Sequence, residues 1–171
     1  MSIGFIGCGN MATAIIKGII KSKTVEENEI NVFDVYAPAV EKLTAEYKIN
    51  KCESECDVVS SSDTVILAVK PNVLPQVLNK INTTLEESDT LLISIAAGKS
   101  TEFIRGALSH NNRIIRVMPN INATVSEAMC AYTANADATE ADKQTAEAIF
   151  SGVGKVMYLD ENYFPLFGVI G

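Results

Sequence analysis

Three small residues near the start of the chain, Gly7, Gly9 and Ala12, have the spacing G-x-G-x-x-A that suits a turn around a diphosphate. Gly7 allows a tight turn, Gly9 lets a phosphate approach the backbone, and Ala12 lets a helix lie close to the preceding strand. The first amides of that helix carry the positive end of its dipole and attract an anion. The spacing therefore predicts a dinucleotide site. A glycine-rich turn that binds no nucleotide is the alternative.

The segments on both sides of this turn support the prediction. Ile3, Phe5 and Ile6 form a short apolar run that is typical of a buried strand. Beyond the turn, apolar residues recur at the spacing of a helix, at Ala12, Ile15, Ile16, Ile19 and Ile20. A strand, a glycine turn and a helix in immediate succession are the context in which this motif is meaningful.

A carboxylate follows the second predicted strand. Asp34 lies 22 residues after Ala12, close to the spacing at which an acid contacts the hydroxyls of the adenosine ribose. Such a carboxylate favours NAD, because it repels the additional phosphate of NADP. In the alternative interpretation Asp34 only starts the turn into the next helix, where Pro38 suits an early helical position.

Strands and helices alternate along the rest of the chain. Apolar runs predict strands over residues 3–6, 30–34, 49–52, 63–69, 90–95, 113–117, 128–132 and 153–159. Thr139 and Asp142 predict a helix that starts with a capping box. The residues expected on its buried face are Ala141, Thr145, Ala148 and Ile149. The alternation is typical of an α/β fold with a doubly wound, mostly parallel sheet of Rossmann type.

Small, polar or proline-containing loops follow four of these strands. They are residues 7–9, 68–71, 96–98 and 118–120. In doubly wound sheets ligands bind beyond the carboxyl ends of the strands, where such loops let a ring and a sugar lie against the backbone. Loops between strands and helices are generally small and polar, which explains each loop equally well when it is taken singly.

Composition argues against several classes of protein. The formal charge of -7 argues against nucleic-acid binding, which relies on clustered Lys and Arg. No apolar run approaches the ~20 residues that cross a bilayer, and no secretory signal precedes the first strand, so we expect a cytoplasmic protein without a membrane partner. The four cysteines and His110 lack the spacing of a metal site, and no metal is expected. Cys8 is expected to fill space inside the turn.

Four segments form a combination that is far more specific than the glycine motif alone. They are Phe5-Ile6-Gly7-Cys8-Gly9-Asn10-Met11-Ala12, Ala68-Val69-Lys70-Pro71, Ser94-Ile95-Ala96-Ala97-Gly98 and Arg116-Val117-Met118-Pro119-Asn120. In content, order and approximate spacing they resemble the cofactor domain of the pyrroline-5-carboxylate reductase family, whose members make L-proline. The resemblance extends over nearly the whole chain.

The resemblance implies a set of cofactor-binding residues. They are Ile6, Gly7, Cys8, Gly9, Asn10, Met11, Ala12, Asp34, Ala68, Val69, Lys70, Pro71, Ala96, Ala97 and Asn120. Residues 6–11 would hold the pyrophosphate, Asp34 the adenosine ribose, and residues 68–71 and 96–97 the nicotinamide end. Asn120 either points towards the nicotinamide or the substrate, or caps its own loop.

The resemblance also implies a reaction, in which a hydride passes from the nicotinamide to the imine carbon of 1-pyrroline-5-carboxylate, a small-molecule substrate. A protonated imine is already electrophilic, so holding the two carbons in register supplies most of the acceleration. We therefore assign no catalytic residue. The family leans towards NADP, whereas Asp34, followed by Val35 and Tyr36, argues for NAD, and both coenzymes are kept as candidates.

A domain boundary near the end of the chain follows from the same resemblance. Residues 1–160 would form the dinucleotide-binding domain, and residues 161–171 would begin a helical domain for substrate binding and dimerisation that is cut off. The missing helices would make the complete protein a homo-oligomer, and this piece alone would be inactive. The alternative is a naturally short protein whose last segment packs on the sheet.

Two other functions fit the same residues. A hydroxy-acid dehydrogenase of similar fold would need a proton donor, such as a lysine or histidine, from sequence beyond Gly171. A non-catalytic regulatory module would bind NAD(H) tightly and show no turnover even as a complete protein.

Overall fold

Helices cover both faces of a single sheet in the computed structural model, which describes residues 1–119 and 128–170. The strands are β1 (Ile3–Ile6), β2 (Ile30–Phe33), β3 (Asn50–Lys51), β4 (Thr64–Leu67), β5 (Leu91–Ser94), β6 (Ile114–Pro119), β7 (Ala128–Ala134) and β8 (Gly154–Tyr158). The helices are α1 (Asn10–Ser22), α2 (Ala37–Glu46), α3 (Glu55–Ser60), α4 (Leu74–Glu86), α5 (Thr101–Gly106), α6 (Glu140–Ser151) and α7 (Phe164–Ile170). The predicted alternation of strands and helices is confirmed.

The order of the strands makes this a doubly wound fold. Across the sheet they lie in the order β3-β2-β1-β4-β5-β6-β7-β8. All neighbours from β3 to β6 are parallel, β7 runs antiparallel to β6, and β8 is parallel to β7. The chain winds outwards from β1 to β3 and then returns to place β4 on the other side of β1. This reversal creates a crevice between the ends of β1 and β4, where such folds bind ligands. The predicted Rossmann-type, mostly parallel sheet is confirmed.

The central strands end level with one another. Ile6 at the end of β1 is paired with Phe33 of β2 and with Leu67 of β4, and Leu67 is paired with Ser94 of β5. The loops that follow these strands therefore leave the sheet at the same edge, and the residues they carry lie close together.

The core consists of two layers, one on each face of the sheet. Ile3 and Phe5 of β1 point into the layer formed with α1, α2 and α6. Ile6 points into the layer formed with α3, α4 and α5. This division follows from the alternation of side chains along a strand.

Two glycines bring α1 and α6 into backbone contact. A Cβ atom on Gly18 would lie 2.8 Å from the carbonyl oxygen of Gly152, and one on Gly152 would lie 2.7 Å from that of Gly18. Only glycine fits at both positions without moving a helix.

The buried face of α6 differs from the prediction. The capping box of Thr139 and Asp142 is confirmed, but the residues that face inward are Asp142, Ala146, Ile149 and Phe150, whereas Ala141 and Ala148 are exposed. Asp142 is 4% exposed, and its carboxylate accepts hydrogen bonds from Thr139 and from the guanidinium of Arg113. Because these donors satisfy the charge, the acidic side chain can face inward.

The last described segment packs against β6 and β7. Phe164 and Phe167 are buried against Ala131 of β7 and contact the partly buried Met118. Tyr163 and Leu166, by contrast, are exposed. Within residues 1–119 and 128–170, no helix has the length and apolar character needed to cross a membrane.

Candidate dinucleotide-binding site

The glycine turn is fixed against the end of β4. Gly7 has a φ of 103°, and a Cβ atom there would lie 2.5 Å from the carbonyl oxygen of Ala68. Its amide donates to the carbonyl of Phe33 over 2.8 Å. The fold itself thus requires glycine at this position, because both the backbone conformation and the available space exclude a side chain.

The fold of the protein does not require a glycine at position 9. The φ of Gly9, -72°, suits any residue, and a Cβ atom built on it would meet nothing within 4 Å. The residue therefore leaves an open space at the start of α1. This space fits the close approach of a phosphate group to the backbone.

The first turn of α1 presents amides to that space. Gly9 is the N-cap, no side chain caps the helix, and Thr13 donates to the carbonyl of Gly9 over 2.9 Å. Among the described residues, the amides of Asn10, Met11 and Ala12 find no protein acceptor. Unpaired amides at the positive end of a helix dipole form an anion site.

Two cavities meet at this turn. The first, of about 390 Å³, lies between the start of α1, the loops after β4 and β5, and the end of β6. The second, of about 260 Å³, lies between the ends of β1 and β2 and the helices α3 and α4. Val69 lines both. The two cavities are therefore adjacent, with Val69 in the wall of both.

The structure brings most of the predicted site residues to these cavities. The first is lined by Gly9, Asn10, Met11, Ala12, Ala68, Val69, Lys70, Pro71, Ala96 and Ala97. The second is lined by Ile6, Gly7, Asp34 and Val69. Cys8 lines neither, although its amide takes part in the turn. Asn120 lies outside the described residues.

Asp34 connects the glycine turn to the end of β2. Its Oδ2 atom accepts a hydrogen bond from the amide of Cys8 over 2.7 Å, and its Oδ1 atom accepts one from the amide of Tyr36 over 2.8 Å. A carboxylate offers about four acceptor positions. Asp34 can therefore hold the turn and still accept hydrogen bonds from a sugar in the second cavity.

The thiol of Cys8 is buried behind the turn. Burial, with a smaller contribution from the negative charge of Asp34, raises the pKa of Cys8 to about 12. The thiol is neutral at physiological pH, which agrees with a space-filling role rather than a reactive one.

Three charged residues near the site were not predicted as site residues. Arg116 lines the first cavity, bonds Glu161 with Nη1 over 2.9 Å and lies over the ring of Phe164. Its position inside the apolar run of β6 was a usable signal, because a buried strand rarely contains arginine. Glu55 and Lys80 line the second cavity, and their sequence surroundings gave no such signal.

A wider cavity of about 650 Å³ lies at the opposite edge of the sheet, at the amino ends of β4, β5 and β6. Ser2, Asp63, Asp89 and Arg113 are among its lining residues. Size alone favours this cavity, but doubly wound sheets bind ligands at the carboxyl ends of their strands. The unpaired amides of α1 are also at that other edge, so we place the site there.

Comparison with known families assigns the chain. Residues 2–98, more than half of the sequence, match the family described as NADP oxidoreductase coenzyme F420-dependent. The chain belongs to that family. It is thereby placed among the NAD(P)-binding oxidoreductases.

Similar proteins of known name give a more specific resemblance. A pyrroline-5-carboxylate reductase of Methanosarcina acetivorans is 41% identical over 94% of this chain and 59% of its own length. The solved structure of a pyrroline-5-carboxylate reductase from Coxiella burnetii superposes with a TM-score of 0.94 at 29% identity, over 99% of this chain and 63% of that one. The predicted resemblance to this group of enzymes is confirmed.

A further solved structure matches the fold. The pyrroline carboxylate reductase of Plasmodium falciparum, solved with NADP bound, has a TM-score of 0.83 at 24% identity, over 99% of this chain and 65% of that one. The chain thus spans about three fifths of the length of the relatives it matches.

Proposed function

We propose that this chain is the cofactor domain of an enzyme that reduces the imine of 1-pyrroline-5-carboxylate to L-proline with NAD(P)H. The observation that carries the proposal is the first cavity. Its walls are formed by the start of α1, residues 68–71, residues 95–97 and the end of β6, the same segments that carry the sequence resemblance. A relative of that name is 41% identical over 94% of the chain.

The three parts of the coenzyme have separate places in this proposal. The pyrophosphate lies at Gly9 and the amides of residues 10–12, where the helix dipole offsets its charge. The adenosine occupies the second cavity, with its ribose near Asp34. The nicotinamide lies in the first cavity, against residues 68–71 and 96–97.

The part of this chain in the reaction is to bind and to orient. When bound, the reduced coenzyme supplies the hydride. Ala68, Ala96 and Ala97 are small enough to let a flat ring lie against the backbone, and Val69, Ile95 and Val117 help to exclude water from that face. A protonated imine is already electrophilic, so the reaction demands little of acid or base groups on this chain, and holding the two carbons in register supplies most of the acceleration.

We infer that NADH is preferred to NADPH. Asp34 is half-buried, lines the cavity assigned to the adenosine, and is held by the amides of Cys8 and Tyr36. A 2′-phosphate would therefore meet a carboxylate that cannot easily turn away.

We further propose that residues 161–171 begin a helical domain that binds the small-molecule substrate and forms a homo-oligomer. The chain covers 59% of the Methanosarcina acetivorans relative, which leaves room for such a domain in proteins of that length. Tyr163 and Leu166 are exposed and available for contacts with it.

Two measurements test the proposal. The first is titration of this chain with NADH and NADPH, followed by the fluorescence of the dihydronicotinamide. The second is oxidation of NADH or NADPH on addition of 1-pyrroline-5-carboxylate, with this chain alone and with the chain fused to the remaining C-terminal part of the Methanosarcina acetivorans relative. We expect binding by both forms and turnover by the fused form only.

The other outcomes separate the alternatives. Absence of binding to either coenzyme would overturn the whole assignment. Tight binding without turnover by the fused form would favour a regulatory module. Oxidation of 2-hydroxy acids with NAD⁺, in place of imine reduction, would identify a hydroxy-acid dehydrogenase.

A further inference from the structure

An ion pair in the wall of the second cavity has no part in the function proposed so far. The Nζ atom of Lys80 in α4 donates to Oε1 of Glu55 at the start of α3 over 2.8 Å. Glu55 is only 7% exposed, whereas the Lys80 side chain is 55% exposed. Both residues line the cavity that also contains Asp34.

Glu55 is held firmly in this place. It lies in the first turn of α3, where the helix dipole favours a negative charge. The N-cap Ser54 fixes this end of the helix by accepting a hydrogen bond from the amide of Asp57. Among the described residues, Lys80 is the one side chain that donates to it. The buried carboxylate therefore fixes the position of the more exposed lysine, and the lysine compensates its charge.

The charges around this cavity are unfavourable for a phosphate. Asp34 and Glu55 contribute two carboxylates, and Lys80 contributes one ammonium group that is already paired. The other lining residues are the uncharged Ile6, Gly7, Phe33, Val35, Val69, Val73, Gln76 and Val77. A 2′-phosphate carries nearly two negative charges. It would enter a cavity with a net negative charge and no unpaired cation among these residues.

We propose that the Glu55–Lys80 pair selects NADH against NADPH, in addition to Asp34, by keeping the ammonium group of Lys80 from a 2′-phosphate. This inference rests on the proposed binding of the adenosine in the second cavity. It assigns Glu55 a role in selectivity that does not require contact with the coenzyme, because the residue acts through Lys80.

The test is the ratio of NADPH to NADH affinity, measured by titration of this chain and its variants. In Glu55→Gln the side chain keeps its shape and Lys80 loses its partner, so we expect NADPH to bind about tenfold more tightly while NADH changes by less than about threefold. Adding Lys80→Met to this variant should remove the gain. The gain should also shrink as salt is raised.

Two further variants complete the design. Glu53→Gln removes the same charge from an exposed position outside the cavity and should leave the ratio unchanged. Lys80→Met alone leaves Glu55 without its cation and should lower NADPH affinity further relative to NADH. Because Lys80 is exposed, this variant tests the proposal even where Glu55→Gln lowers stability, which thermal unfolding will report.

The outcomes that overturn the inference differ from those that overturn the proposed function. An unchanged ratio in Glu55→Gln, or a gain that persists after Lys80→Met is added, would show that the pair does not select the coenzyme. Failure of the unmodified chain to bind either coenzyme would instead remove the proposed function on which the inference rests.

Discussion

The amide of Cys8 in the glycine turn donates a hydrogen bond to Oδ2 of Asp34 over 2.7 Å. The other oxygen of the same carboxylate accepts from the amide of Tyr36 over 2.8 Å. One side chain at the end of β2 therefore stabilises the turn that receives the pyrophosphate in our proposal, and also places a negative charge in the second cavity. Changes at Asp34 should affect the stability of the protein and its choice of coenzyme together.

The variant Asp34→Asn removes the charge of this side chain and nearly keeps its shape. An amide side chain can accept only one of the two backbone hydrogen bonds, so we expect the free energy of unfolding to fall by about 1–2 kcal/mol. NADPH should bind more tightly relative to NADH. Urea unfolding and coenzyme titration measure the two effects, with Glu41→Gln on the exposed face of α2 as the control. An unchanged unfolding midpoint would contradict the structural role of the carboxylate.

The two glycines of the turn should respond differently to alanine. Gly7→Ala strains a residue with positive φ and brings a Cβ atom to 2.5 Å from the carbonyl of Ala68, so we expect a loss of several kcal/mol in stability. Gly9→Ala meets no protein atom within 4 Å and should change stability by less than about 1 kcal/mol. It should nevertheless weaken NADH binding strongly, because the new methyl group occupies the space proposed for the phosphate. Equal binding by the Gly9 variant and the unmodified chain would argue against that placement.

The contact between α1 and α6 should be intolerant of any side chain. Gly18→Ala places a Cβ atom 2.6 Å from Cγ1 of Val153 and 2.8 Å from the carbonyl of Gly152, and should destabilise the protein by about 1–3 kcal/mol. Gly106→Ala at the end of α5 meets nothing within 4 Å and should be neutral or slightly stabilising. Thermal unfolding of the two variants gives the comparison. Similar melting temperatures would mean that the helices can move apart at little cost.

Asp63 should make the stability depend on pH in the acid range. The amide of Ser2 donates to its carboxylate over 2.7 Å and, with the Ser2 hydroxyl, holds the pKa of Asp63 below its ordinary value of 3.8. A lowered pKa in the folded state gives a contribution that is present above about pH 4 and is lost as the pH falls through the folded-state pKa. Since Asp63 is exposed, this contribution should stay below about 1 kcal/mol.

The variant Asp63→Asn checks this dependence. We expect it to be less stable than the unmodified chain in urea at neutral pH, and the difference should shrink towards about pH 3. A difference that does not change with pH would mean that hydrogen-bond geometry, rather than the carboxylate charge, is responsible.

The features that were predicted from sequence are those set by neighbouring residues. The apolar runs, the turn at Gly7 and Gly9, and the capping box at Thr139 each depend on a few positions along the chain, and the structure contains all of them. That the loops after the central strands lie close together was also predictable, because parallel strands that end level place the following loops at one edge of the sheet.

The features that were missed depend on partners far away in sequence. Asp142 was predicted only as a member of the capping box, and its burial, which depends on the hydrogen bond from Arg113, was not predicted. Nothing near Glu55 indicates that Lys80, in another helix, will pair with it. The antiparallel direction of β7 is likewise set by its pairing with β6 and not by its own residues.

Val69 is the residue shared by the two cavities. In our proposal the dinucleotide fills both cavities and passes this side chain, whereas a mononucleotide would occupy one cavity and leave the other vacant. If the coenzyme binds as we propose, its two halves are separable ligands, and the intact molecule gains the entropy saved by linking them across a single isopropyl group. A bulkier side chain at this position would weaken binding of the intact dinucleotide most, and binding of either half alone much less.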